Sequence, residues 1–395
     1  MRKPFEGVRV VDFSVLTSAP LATMVLADQG ADVVKVENTV VGDIYRLSAF
    51  SKGGVTALLA NHSRGKRSIA VDTGIEEGRQ VVQDLMVGAD VIVQNFRPGV
   101  VDRLGLGYGD IRAHNPDVIY VSVSGFGPDG PYADRPIVDP VIQALTGMVA
   151  RQQSEDLPIP DLVRQVVVDK ATALMVAQAV GAALYRRAVG GGGDHIVVPM
   201  LDVGLYFFWP DGMCDQTLLD EGVASGSRPV DGYRITQCAD GPIVYYAVTR
   251  DQLRGIYGAV GHPEWADDPR FCDVAALGDP DNLRTLGALL IEAFGSMKVD
   301  DVLPGLHAAQ VPAAPVLQPH EVVTDAQVVH NGSLVTWEHP TAGTLRQPRH
   351  PIRFSSSPTP VPEQVPLLGE HTDEILAELG RTPDQIDALR AAGII

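Results

Sequence analysis

Asp169 interrupts the apolar run Val166-Val167-Val168 where a long helical pattern begins. A carboxylate at such a point has two readings. As an N-cap it accepts hydrogen bonds from the N–H groups of the helix's first turn. As a nucleophile at the mouth of a pocket it needs no base, because an ordinary pKa of about 3.9 keeps it ionised at neutral pH. The positive end of the helix dipole favours the charge in both. Gly125-Phe126-Gly127-Pro128-Asp129-Gly130 follows a strand-like run and matches the glycine pattern of a dinucleotide site. Pro128 and Pro131, however, stand where the phosphate-binding helix would begin and remove N–H groups it needs. The loop therefore reads as a substrate loop at the carboxyl end of a strand.

Two further segments concentrate positive charge. Asn61-His62-Ser63-Arg64-Gly65-Lys66-Arg67-Ser68 and Asn95-Phe96-Arg97-Pro98-Gly99, the latter leading to Arg103, each read as a solvated basic turn or, together, as a grip for a polyphosphate. Neither has the spacing of a phosphate-binding P-loop. The histidines show no metal-binding spacing, and Cys214, Cys238 and Cys272 form no C-x-x-C pair, so neither a metal centre nor a disulfide framework is expected. Gly-x-Ser-x-Gly is absent, leaving a hydrolase triad without its anchor.

These residues sit in a chain of 395 residues, longer than one ordinary core. Its formal net charge of −18 repels polyanions, so nucleic acid is not an expected partner. The N-terminus runs into a strand with no apolar export segment, and the low cysteine content suits a reducing compartment, so a cytoplasmic protein is expected. Val166 to Leu184 is apolar, but Asp169, Lys170, Thr172 and Gln178 make it too polar for a lipid-facing span; it reads as a buried helix, with no membrane partner.

Short β-branched runs at Val8–Phe13, Asp32–Val36, Asp90–Val93 and Val118–Val123 alternate with helical patterns such as Leu21–Gln29 and Ile75–Met86. That alternation predicts parallel βαβ units and an α/β fold. A helix over Asp169–Arg187 ends in four glycines, and a strand follows at His195–Val198. A second set of elements predicts a small α+β domain over 225–320: strands near Tyr233–Gln237 and Ile243–Val248, helices near Gln252–Val260, Asn282–Phe294 and Val299–Ala309. Arg346–Pro366 reads as an extended crossing strand before two short terminal helices.

In this order the pieces resemble the family III CoA-transferases, which include formyl-CoA transferase, carnitine CoA-transferase and the α-methylacyl-CoA racemases. The resemblance rests on Val10-Val11-Asp12-Phe13, on Ala19-Pro20-Leu21-Ala22, and on the stretch Leu26 to Glu37. It continues through Arg64–Ser68, Asn95–Gly99, Ser124–Gly127, the Asp169 helix and Leu368-Gly369-Glu370-His371-Thr372. It implies a Rossmann-like large domain, 1–215 completed by 325–395, with a parallel sheet formed by both chain ends, and a homodimer of two interlocked subunits.

The implied substrates are an acyl-CoA and a small carboxylic acid, with coenzyme A as co-substrate and no metal. Asp169 matches the family's catalytic aspartate, which forms a mixed anhydride and then an aspartyl-CoA thioester. By the same match Thr17 and Ser18 meet the thioester end of CoA. Val71, Asp72, Thr73 and Gly74 line the adenosine; Asn95, Phe96, Arg97 and Arg103 follow the nucleotide and phosphates. Asn38 stands where some members carry an arginine, and Arg135 near another basic position. For the oxyanion, the Gly125–Gly130 loop and the turn Ser225-Gly226-Ser227 are candidates.

The racemase branch needs a second proton-transferring group, which those relatives supply as a histidine before an aspartate. Here the pair is Val138-Asp139, and valine carries no proton. A CoA-binding protein without the chemistry is a further reading, and a nicotinamide dehydrogenase based on the Gly125 loop is the most distant one. Tyr206-Phe207-Phe208-Trp209 reads as core or as the wall of an acyl site. Thr17 stands near the position where formyl-CoA transferase carries glutamine, which disfavours oxalate as acceptor.

Overall fold

A computed structural model describes residues 2–153, 159–224, 233–357 and 364–395. The chain divides into two compact units: Met1–Gly212 with Gln327–Ile395, and Met213–Ala326.

The first unit opens with β1 (Arg9–Phe13), α1 (Ser18–Asp28) and β2 (Asp32–Glu37), then a small hairpin, β3 (Ser51–Lys52) and β4 (Val55–Thr56). It continues through α2 (Ala57–Ser63), β5 (Lys66–Ala70), α3 (Glu76–Val87) and β6 (Val91–Gln94). Next come α4 (Val100–Arg103), α5 (Tyr108–Arg112), β7 (Ile119–Ser124), α6 (Asp139–Leu145) and α7 (Met148–Arg151). The long α8 (Val167–Arg186) leads through Gly190, which turns at φ 92°, into β8 (Asp194–Pro199) and α9 (Met200–Gly212).

The main sheet has six strands in the order β5-β2-β1-β6-β7-β8, every pairing parallel. The chain winds outward from β1 to β5, then returns to β6 beside β1 and winds the other way. The β1/β6 boundary is therefore a topological switch point, where the loops leaving the strand ends diverge and open a crevice. α1 and α8 pack together on one face. On the other, α3 and the C-terminal helices close a hydrocarbon core around Val11, Val34, Ile69 and Ile92.

The second unit holds a three-stranded antiparallel sheet of β9 (Ile235–Gln237), β10 (Pro242–Tyr245) and, later in the chain, β11 (Ala313–Pro315). Between β10 and β11 run α10 (Arg250–Ala259), α11 (Pro280–Gly295) and α12 (Val299–Ala308), packed around Tyr257, Phe271 and Phe294. After α13 (Pro319–Val322) and α14 (Ala326–Asn331), β12 (Leu334–His339) and β13 (Gly343–Pro348) form an antiparallel hairpin, and α15 (Thr372–Glu378) and α16 (Pro383–Ala391) end the chain.

Several expectations change. Every strand of the main sheet comes from residues 9–199, so the sheet is not formed by both chain ends. The C-terminal segment contributes helices and a separate hairpin instead, because β12 and β13 are joined by a turn short enough to pair them with each other. Arg346–Pro366 begins inside that hairpin rather than crossing the fold as one strand, and residues 358–363 lie outside those described. The Asn61–Ser68 stretch is not a solvated basic turn: it runs from the end of α2 through a tight turn at Arg64-Gly65 into β5, with Arg64 and Lys66 buried. The pleat alternates its side chains, sending Lys66 inward to Asp12 and Arg67 outward to Asp32, Glu374 and Glu378, while Arg64 pairs with Asp28. All these cations are neutralised by carboxylates, which removes them from a polyphosphate grip. Finally, α8 is not wholly buried: Leu174 is 61% and Met175 36% exposed in this chain.

Candidate active site

A cavity of about 350 Å³ opens at the switch point. Its walls come from the loops after β1 (Val15 to Ser18), β6 (Asn95 to Pro98) and β7 (Ser124, Gly125), and from Arg135 to Pro140, Val166 and Asp169. Of the residues singled out from sequence, Thr17, Ser18, Asn95, Phe96, Arg97, Arg135, Gly125 and Asp169 thus face one space. Asn38 and Val71 to Gly74 follow β2 and β5 along the same carboxyl edge of the sheet, and Arg103 ends α4; none of them lines this cavity. Ser225-Gly226-Ser227 lies outside the described residues.

Asp169 is in the first turn of α8, not at its cap. Asp139 does the capping: its Oδ2 accepts the N–H groups of Val168 at 2.7 Å and Asp169 at 3.0 Å. Asp139 is 2% exposed, and its other oxygen is held by Gln143, whose amide also clamps both backbone groups of Val163. Asp169 shares its cavity with Ser18, the first residue of α1, whose nearby N–H and hydroxyl favour the ionised carboxyl. Two helix N-termini converge on one carboxylate, an arrangement that stabilises negative charge. Burial, and then the charge of Asp139, nevertheless push the Asp169 carboxyl up to about 6 against the pull of Ser18. The result is a carboxylate that is ionised at neutral pH yet poorly solvated, the state in which it is most nucleophilic.

The backbone around it is strained. Leu16 at φ 68° and Val166 at φ 39° are non-glycine residues in the left-handed region, and both line the cavity. Gly125 answers a different need, since a Cβ there would lie 2.6 Å from Ile137. Asn95 fixes the strained loop from one side, accepting Val15 N–H at 3.0 Å and donating to its carbonyl at 2.7 Å. Its amide is committed to positioning. Asn38 likewise serves its own turn, accepting from Val40, Val41 and Gly42. Arg97 and Arg135 reach the surface; Arg135 lies 3.6 Å over the Tyr132 ring.

Residues 5–372 match the profile of CoA-transferase family III. The chain belongs to that family. Two similar proteins are named formyl-CoA:oxalate CoA-transferase: one from Bradyrhizobium sp. (strain ORS 278), 33% identical with 100% of this chain and 98% of the relative covered, and one from Streptomyces avermitilis, 33% identical with both chains covered in full. Among solved structures, a CAIB/BAIF family protein from Brucella suis superimposes with a TM-score of 0.83 at 31% identity over 96% of this chain and 100% of that one. Rv3272 from M. tuberculosis gives 0.81 at 30% identity over 94% and 98%. This family III protein is accordingly a CoA-transferase, an enzyme acting on CoA thioesters.

Sequence reasoning missed Asp139 as the cap of the Asp169 helix, and missed Tyr45, Asp43 and Lys35. Only Lys35 left a local trace, a lone cation between valines in Val33-Val34-Lys35-Val36. The others act across gaps of tens of residues and carry no spacing signal.

Proposed function

We propose that this family III enzyme moves CoA from an acyl-CoA to a carboxylic acid through covalent intermediates on Asp169. A carboxylate oxygen of Asp169 attacks the thioester carbonyl, the C–S bond breaks, and a mixed anhydride and CoA thiolate result. The thiolate attacks the aspartyl carbonyl of the anhydride, releasing the donor acid and leaving an aspartyl-CoA thioester. The acceptor carboxylate attacks that thioester to form a second anhydride. The thiolate then attacks its acceptor carbonyl, giving the new acyl-CoA and free Asp169. No proton transfer is required, which agrees with a site whose nearest acid, Asp139, is fully engaged as a helix cap. In the steps at the aspartyl carbonyl the developing oxyanion is an Asp169 oxygen, and the nearby Ser18 hydroxyl and N–H, which favour negative charge there, are the donors assigned to it.

The observation that carries this reading is Asp169 itself: desolvated, lining the switch-point cavity and next to Ser18 at the start of α1. Incubation with acyl-CoAs without acceptor, followed by peptide mass spectrometry, tests it. The expected result is a CoA-derived adduct on the Asp169 peptide that Asp169→Asn lacks; CoA binding without any adduct would sink the covalent route. Racemisation is disfavoured because Val138 faces the cavity where a second acid or base would be needed.

The relatives' names make formyl-CoA and oxalate the reference pair for assay. Thr17 in the cavity wall, near the position where formyl-CoA transferase carries glutamine, supports another acid as acceptor. Exchange confined to oxalate in a panel of acids would overturn that. The nucleotide of CoA is assigned to the carboxyl edge of the sheet from Arg103 toward Val71 to Gly74. A second, interlocked copy is the proposed cover for the apolar residues left open on α8 and α9, where Tyr206 is 73% and Phe207 53% exposed. Light scattering at the dimer mass supports it, and a monomer at assay concentration refutes it.

A further inference from the structure

Tyr45 belongs to a single 3₁₀ turn after β2, Ile44–Leu47, and has no role in the mechanism above. Its hydroxyl is hydrogen-bonded to the hydroxyl of Thr17, and both residues line the Asp169 cavity. Two hydroxyls carry two protons, and one bond between them uses one. No other hydrogen bond of either hydroxyl is found among the described residues, although Thr17 is only 3% exposed. Whichever hydroxyl donates to its neighbour, the pair retains one O–H for an acceptor in the cavity.

The pair is also held rigidly. Asp43 Oδ1 accepts both Tyr45 N–H at 3.0 Å and Leu16 N–H at 3.3 Å, so one carboxylate ties the turn carrying Tyr45 to the strained loop carrying Thr17 and Ser18. That carboxylate is 2% exposed and paired with Lys35 Nζ at 3.0 Å; the same ammonium donates to the Ser14 carbonyl at 2.8 Å. The Tyr45 carbonyl takes the hydroxyls of Ser48 and Thr56, and its ring packs against His62. Burial first, and then the charge of Asp169, raise the Tyr45 pKa, so the phenol remains a donor at neutral pH. The same repulsion places it in the electrostatic reach of the nucleophile.

We infer that the Tyr45–Thr17 hydroxyl pair donates the hydrogen bond that stabilises the oxyanion formed on the acyl carbonyl when Asp169 attacks, making Tyr45 a catalytic residue of this transferase. The inference rests on the nucleophile reading of Asp169. In that step the C–O bond forms, the carbonyl electron pair moves to its oxygen, and the hydroxyl relay stabilises the charge without losing a proton; collapse expels the thiolate. Ser18 serves the oxyanion on the aspartyl carbonyl, whereas Tyr45 and Thr17 serve the one on the external acyl carbonyl, so the two sets of donors act on different steps.

Single-turnover formation of the Asp169 adduct from an acyl-CoA, quenched and read by mass spectrometry, separates these roles. Removing a preorganised oxyanion donor lowers the rate about 10²-fold or more. Tyr45→Phe, which keeps the ring against His62, is expected to slow adduct formation by that factor with little change in KM for acyl-CoA and no change in melting temperature. Thr17→Val is expected to do the same. The double variant should be no slower than the slower single one, because the two hydroxyls act as one relay. Adduct formation at the wild-type rate in folded Tyr45→Phe overturns the inference, as does a change confined to KM. If Tyr45→Phe does not fold, Thr17→Val decides by the same two criteria. A wild-type protein that forms no adduct with any acyl-CoA removes the nucleophile reading and this inference with it, an outcome distinct from a failure of Tyr45→Phe alone.

Discussion

The two faces of the parallel sheet are built from different materials. On one face Val11, Val34, Val36, Ile69 and Ile92 pack in a hydrocarbon core against α3, α15 and α16, with the ion pairs of Arg67 to α15 at its rim. On the other the same strands bury Asp12, Lys35, Lys66 and Ser68, each fully, with Glu37 beside them. Register makes the contrast sharp: Lys35 stands opposite both Asp12 and Ser68, and one residue further along, Val36 stands opposite Ile69. A buried ion pair contributes little net stability compared with well-packed hydrocarbon, because desolvation offsets the Coulombic gain. What it supplies here is direction. Lys35 holds the Ser14 carbonyl and Asp43, Asp43 holds Leu16, and the loop so fixed presents Thr17 and Ser18 to the cavity. The hydrocarbon face reaches the cavity by packing instead, through Phe96 against Phe13.

The charges within the network follow from how the partners are shared. Asp12 is buried, which alone would raise its carboxyl, but Lys35 and Lys66 on either side bring it down to about 2. Lys35 has carboxylates on two sides, and its pKa rises despite burial. Burial is the largest influence on Lys66 and, with the like charge of Lys35, outweighs its pairing with Asp12 and the weaker pull of Asp43, so its ammonium falls to about 8.

The largest effect that tests this contrast is expected at its endpoint. Asp169→Asn keeps the shape of the side chain but not the nucleophile, and turnover should fall by roughly 10⁴-fold or more. Steady-state exchange with a labelled acid measures it. Retained exchange would mean that the charged face orients something other than an attacking carboxylate.

Next come paired substitutions on the two faces. Lys35→Met leaves Asp12 and Asp43 buried without their shared cation and should destabilise by about 3–5 kcal/mol. Ile69→Ala should lose about 2–5 kcal/mol through its cavity. The losses overlap, so denaturation alone does not tell the faces apart. Activity per folded molecule does: Ile69→Ala should retain the wild-type kcat, whereas Lys35→Met should lose kcat because the Thr17–Ser18 loop is released. Equal kcat in both variants would remove the positioning role assigned to the charged face.

This contrast also sets what the sequence could reveal. The hydrocarbon face is legible, since Val10–Phe13, Asp32–Val36 and the later runs are β-branched and bounded by helical patterns. β5 is not: Lys66-Arg67-Ser68 is polar on both sides of the pleat, and only Asp12, fifty-four positions away in the chain, makes its lysine a core residue. The cavity was legible where local chemistry marked it, at Asp169 and at Asn95 to Arg97, and through the family resemblance at Thr17 and Ser18. It was not where a long-range contact decides the role. Asp139 and Tyr45 look unexceptional until folding brings the first to the start of α8 and the second to Thr17. Even Asp169 left two readings open, and only the presence of a different capping carboxylate removed one of them.

A smaller effect follows from the Asp169 carboxyl lying near 6. Only its ionised form attacks, so kcat/KM should fall about tenfold per pH unit below about 6 and level off above it. Asp139 sets part of that position, and Asp139→Asn should move the limb to lower pH while weakening the cap of α8. A limb that stays in place would assign the whole shift to burial.

The smallest effect is on stability, and its sign is opposite to that of the usual paired carboxylate. The folded-state pKa of Asp169 is raised above its ordinary value, so the folded chain binds this proton more tightly than the unfolded one. At pH below the ordinary carboxylate range the group is neutral in both states and contributes nothing. As pH rises from there through about 6, the folded state must hold a charge it solvates poorly, and stability falls. Asp169→Asn removes that charge while leaving an oxygen for Ser18. It should therefore melt a few degrees above the wild type at pH above about 6, with the difference shrinking toward zero as the pH falls toward 4. Paired melting curves across that range measure the free energy stored in the site: a variant no more stable than the wild type at neutral pH would mean that Ser18 and the two helix N-termini compensate the burial of Asp169 in full. The nucleophile would then be a comfortable anion, and its reactivity would have to come from the donors aimed at the substrate.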